Sequence, residues 1–169
     1  MVKSDMSDIT KGELPDWPPY THVPGVTPHP ISASTGHMRN DENGIIEWRP
    51  GSRLKWGLML FNRGYYWEAH EAWEHLWIEL GRISGDALIV KGLIKLAACG
   101  VKCIEGNRNG AIRHAARAAV LLGTDPASDQ FFGVNLKHAR EVAVAVQESP
   151  PISATQSDGT PLVLNGFLL

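Results

Sequence analysis

The stretch FNRGYYWEAHEAWEHLW, Phe61 to Trp77, decides the fold. At about 100° of turn per residue, a helix over 65–80 sets Tyr66, Ala69, Trp73, Leu76, Trp77 and Leu80 on one broad apolar face. Glu68, His75 and Glu79 fall opposite, with Ala72 beside them, and read as the solvated face. Trp67, Glu71, Glu74 and Ile78 lie between the two, and His70 stands at the margin of the apolar face. So little purely polar surface predicts a central helix contacted from two sides.

Working outward, helices are predicted near 52–62, 65–80, 85–105, 108–122 and 128–147. Ser52, Ser84 and Ser128 are candidate N-caps, because a serine oxygen can accept an orphan N–H of the first turn. Gly64, Gly81, Gly106 and Gly123 mark the stops, and Pro150 with Pro151 ends the fifth helix. The third helix is expected to bury Leu88, Ile89, Leu93, Leu96, Ala97, Gly100 and Ile104, with Lys91, Lys95 and Lys102 as a basic stripe. The fourth carries Ala111, Ala115, Ala116, Ala118 and Ala119, small enough for close approach. The fifth points Phe131, Phe132, Ala139, Val142, Ala143 and Val146 inward. The expected fold is all-α, an antiparallel bundle of about five helices with extended arms at both ends.

The flanks differ in kind. Six of the eleven prolines fall in LPDWPPYTHVPGVTPHP, residues 14–30, which forbids helix and favours an extended path. Interleaved Trp17, Tyr20 and Val23 suggest that this arm lies on something. The tail carries Leu162, Val163, Leu164, Phe167, Leu168 and Leu169, which would be sticky if exposed. The chain thus divides into a Pro-rich arm packed on the bundle (1–50), the helical bundle (51–148) and an apolar C-terminal arm (149–169). Apolar arms make a homodimer the expected partner state. GYYWEAHEAW and GNRNGAIRHA share a Gly followed five residues later by Ala, a weak echo of tetratricopeptide repeats.

Bulk properties exclude several classes. The chain has 169 residues, which fits one domain with a real core, and 43% hydrophobic with 20% charged residues is ordinary for a globular protein. A net charge of −2 argues for neither nucleic acid nor an anionic membrane as partner. No apolar run is long enough to span a bilayer, and the N-terminus lacks a secretory h-region. Cys99 and Cys103, four apart on one helix, suit neither a disulfide nor a zinc site and read as buried reduced thiols. A cytoplasmic location is expected. No phosphate loop, nucleophile elbow or Cys–His pair is present.

One histidine and two carboxylates remain to be placed. His70 and Glu74 are four apart and can meet; Glu71 shares their flank, hemmed by tryptophans. Such a carboxylate is partly desolvated, the setting of a general base or a metal ligand. HEAWEH is neither H-E-x-x-H nor H-x-x-E-H, so no zinc-protease motif is claimed. His70 and Glu74 could supply two metal ligands, with His29 and His37 closing the site from the arm, a divalent metal being the cofactor implied. Arg113 and Arg117, one turn apart, are candidates for an anion site or for charge partners of Glu71 and Glu74. The plainer reading takes the same groups as helix pairs and packing residues.

FNRGYYWEAHEAWEHLW followed by KGLIKLAACGVKCIEGNRNGAIRHAARAAVLL resembles domain-of-unknown-function family 309. The resemblance covers about residues 50–123 and rests on Asn62, Gly64, Tyr66, Glu68, His70, Glu71, Glu74 and Trp77, then Gly92, Leu93, Gly106, Asn107, Gly110 and Ala111. Its centre is an EAHExxE motif. It implies a small all-α bundle and no assigned activity, and it adds Asn62, Tyr66 and Trp77 as candidate ligand contacts. Two functions follow. In the first, His70 and Glu74 bind a metal or polarise a small-molecule ligand and Glu71 is the general base of a hydrolase-like reaction. In the second, the chain is a non-catalytic helical scaffold, tetratricopeptide-like in style, with His70, Glu71 and Glu74 bonding to helix ends or to Arg113 and Arg117.

Overall fold

In a computed structural model the described residues form an all-α bundle of five helices. The structure describes residues 15–38, 50–123, 129–152 and Leu164. The helices are α1 (Pro50–Asn62), α2 (Tyr66–Glu79), α3 (Gly85–Ile104), α4 (Arg108–Leu122) and α5 (Leu136–Glu148). Each packs against the next in sequence, as short connections require. An ion pair between Arg53, early in α1, and Glu79, the last residue of α2, spans 3.1 Å and shows the antiparallel run of that pair.

The helix stops have a common chemistry. Gly64 adopts φ 83°, its N–H donates to the Phe61 carbonyl, and the Tyr65 N–H reaches back to Leu60. This is a Schellman cap, which satisfies carbonyls that the helix end leaves bare and needs a left-handed residue. The same pair of bonds closes α2 at Gly81 and α3 at Gly106. The starts are equally local. The side chains of Ser84, Asn107 and Asn135 accept the N–H groups of Ala87, Gly110 and His138.

Two expected starts move. α1 begins at Pro50, so Ser52 lies inside it; proline suits the first turn because its missing N–H would have no partner there. The fifth helix was expected from 128 but begins at Leu136. Ahead of it stands a two-stranded antiparallel hairpin, β1 (Gln130–Phe131) and β2 (Val134–Asn135), with Phe131 opposite Val134. Its two turn residues, Phe132 and Gly133, both have positive φ, the geometry a tight two-residue hairpin demands. Phe131 is still buried, but from a strand. Ser128 lies outside the described residues.

Helix α2 is seated by two close approaches. A Cβ on Gly57 would stand 2.2 Å from Trp73 Nε1, and one on Gly100 would stand 2.5 Å from the Tyr66 ring. Glycine therefore lets α1 and α3 touch Trp73 and Tyr66, the two largest fully buried side chains of α2. Trp73 Nε1 donates to the Leu54 carbonyl at 3.2 Å. Tyr66 is met by one more segment, since the backbone N–H of Leu164 donates to its hydroxyl. The other apolar tail residues named above lie outside the described residues. Cys99 and Cys103 are buried free thiols. Among the described residues no helix is long and apolar enough to cross a membrane.

Residues 15–38 lie along α1 and α2. Trp17 packs on Trp56 and Tyr65, with the Arg63 guanidinium 3.9 Å above its ring. Thr21 donates its hydroxyl to the Gly64 carbonyl at 3.0 Å. His22 and His29 both set edges against the Trp67 ring.

Candidate functional site

The flank of α2 brings His70, Glu71 and Glu74 together. One ligand atom from each lies within 4.8 Å of the others. His70 Nδ1 stands 3.2 Å from Glu71 Oε1 and 3.8 Å from Glu74 Oε2. The helix sets Glu74 beside both His70 and Glu71, because i, i+4 and i, i+3 positions share a face, and the Glu71 carboxylate turns toward His70 to close the group. All three are half-buried; the Glu71 side chain, at 17% exposure, is more enclosed than Glu74 at 43%. His75 does not pair with the Glu71 carboxylate; its ring bonds the Glu71 backbone carbonyl at 2.8 Å.

The surroundings are cationic. Half-buried His114 of α4 is held below the ordinary histidine value by burial first, then by Lys95, Lys102, Arg113 and His70. Lys102 itself pairs with Glu105. Lys91 of α3 places its ammonium 5.1 Å from the Trp77 ring, and Trp77 Nε1 donates to the Arg82 carbonyl at the end of α2. Arg113 and Arg117 are exposed and form no ion pair among the described residues, so they are not partners of Glu71 or Glu74. Asn62 ends α1 and is half-buried. Tyr66 is wholly buried in the core, its hydroxyl spent on Leu164 and pushed up from its ordinary pKa by burial.

His29 and His37 are not members of the His70 group. They join a second assembly, built around a residue the helical pattern had placed on the solvated face. Glu68 is 2% exposed. Its Oε1 accepts the His22 backbone N–H at 2.9 Å and lies 3.3 Å from His37 Nε2. Its Oε2 is buried and has no hydrogen-bond partner among the described residues. Burial pushes the Glu68 carboxyl up to about 7, opposed by its own and the His22 backbone N–H and reinforced by Glu71. His22 is also buried; its Nδ1 pairs with Thr27 Oγ1 at 2.9 Å, and burial, then His29, holds its imidazole below 6.5.

Glu68 and His22 were missed for a definite reason. Helical periodicity marks which residues share a face, and it does not say what covers that face. One signal was available: Ala72, four residues after Glu68, is small and apolar, which is odd for a solvated face, and the structure buries it. A Pro-rich arm in need of a landing place is the complement of that oddity.

No curated protein matches this chain. Residues 54–114, from the first turns of α1 into α4, match a family model described as Domain of unknown function (DUF309). The matched segment, which holds Glu68, His70, Glu71 and Glu74 of α2, is therefore similar to the DUF309 family.

Proposed function

We propose that the chain binds a divalent metal ion through His70, Glu71 and Glu74 and uses the site on a small-molecule ligand. One observation carries the reading: an imidazole and two carboxylates present their ligand atoms within 4.8 Å of one another on a rigid helix. That donor set would suit a hard ion such as manganese or a borderline one such as zinc, and would leave positions open for water and ligand. A metal held there would supply a water of lowered pKa. In the hydrolytic form of this reading His70 and Glu74 hold the ion, and Glu71, the more enclosed acid, takes the proton from water.

The contacts made by the group support this over a bracing role. Glu71 and Glu74 direct their carboxylates at His70, and among the described residues none of the three side chains bonds to another helix. A bracing group would spend its polar atoms outside its own helix.

The test is metal content and calorimetric titration with zinc and manganese, on wild type and on His70→Ala. Loss of one class of saturable binding in the variant, with an unchanged circular dichroism spectrum, is expected. Equal binding by both proteins would remove the site from consideration.

A further inference from the structure

The buried group around Glu68 carries an inference of its own. Its Oε1 is already engaged by the His22 N–H and faces His37 Nε2, which leaves Oε2 buried with no donor among the described residues. Buried carboxylate oxygens are rarely left so, because the lost hydration has to be replaced. A cation replaces it more completely than one N–H does. The spacing agrees: two ligands at about 2.0–2.1 Å from a tetrahedral ion stand about 3.3 Å apart, and His37 Nε2 stands 3.3 Å from Glu68 Oε1. Rings line both partners: the Tyr20 and His37 ring centroids are 4.5 Å apart, edge to face, and His22, whose N–H bonds Glu68, packs with His29 and Trp67.

We propose that Glu68 and His37 form a second metal site, for a zinc-like divalent ion, that staples residues 15–38 to α2. Both Glu68 oxygens and His37 Nε2 are the protein donors, with water completing the shell. The His22 N–H fixes the carboxylate, and Thr27 holds His22 in place. The arm docks when the ion binds, because the ion bridges two segments 31 residues apart in the chain, 68 minus 37. This does not depend on the His70 site.

Full-length protein is stripped with chelator and titrated with zinc by calorimetry and with cobalt by visible absorption, for wild type, His37→Ala, His37→Cys and His70→Ala. Hydrogen exchange over residues 15–38 is followed in each. His37→Ala is expected to weaken one class of site by about 100-fold or more and to abolish the metal-dependent protection of residues 15–38. His37→Cys, a thiolate ligand, restores both; an imidazole–carboxylate ion pair would not be rescued this way. Binding in His37→Ala equal to wild type overturns the proposal, and so does arm exchange that ignores metal in the wild type. Loss of binding in His37→Ala but not His70→Ala upholds this site and sinks the one at His70; the reverse pattern does the opposite.

Discussion

Helix α2 carries two His/Glu groups that were made in different ways. His70, Glu71 and Glu74 meet because they are neighbours on one helix, and they stay half-exposed. Glu68 meets His22 and His37 only because a segment 46 and 31 residues away in sequence folds over it, and it is 2% exposed. The first group uses its polar atoms on itself; the second leaves one oxygen without a donor among the described residues. Local assembly is cheap and weakly enclosed. Tertiary assembly encloses fully, and there a bare oxygen has consequences.

The largest effect sharpening this contrast should come from the helix both groups share. Trp73 is fully buried and pinned to Leu54. Trp73→Ala is expected to cost about 3–5 kcal/mol, measured by urea unfolding, and to disturb both groups together. A variant that lost only one group would show that α2 is not their common foundation.

The second effect separates them by pH. Glu68 titrates near 7 in the folded protein against an ordinary 4.5. The folded state therefore holds the proton more tightly. The contribution is fully present below 4.5 and is lost as pH rises through about 7. In metal-free protein this is worth about 3 kcal/mol of stability between pH 4.5 and 8. Glu68→Gln should flatten that fall in urea titrations at pH 5 and pH 8. His22 has the opposite sign: its lowered value gives stability above 6.5 that fades as pH falls. An unchanged pH profile in Glu68→Gln would mean the carboxylate is better solvated than its burial implies.

The smallest effects belong to the local group. His70→Ala should cost no more than about 1 kcal/mol, because its partners are half-exposed neighbours on the same helix. Arg113→Ala and Arg117→Ala should cost less than about 0.5 kcal/mol each. Thermal melts check all three. A loss well above these for His70→Ala would put it among the bracing residues and break the contrast.

Much of this was legible in the chain before any coordinates. Gly64, Gly81 and Gly106 ended their helices and Ser84 opened one, because caps are decided by a few adjacent residues. The core face of α2 through Tyr66, Ala69, Trp73 and Leu76 followed from the helical period alone. So did the meeting of His70 with Glu71 and Glu74. The start of α5 was not legible, because Phe132 and Gly133 turn a hairpin with positive φ at a residue that rarely adopts it. The burial of Glu68 was not legible either. Periodicity fixes the direction in which a side chain leaves its helix, but solvation depends on which distant segment comes to lie there. Here that segment is 15–38, with its backbone N–H at His22 and its ring at His37, and only the tertiary fold brought them to the carboxylate.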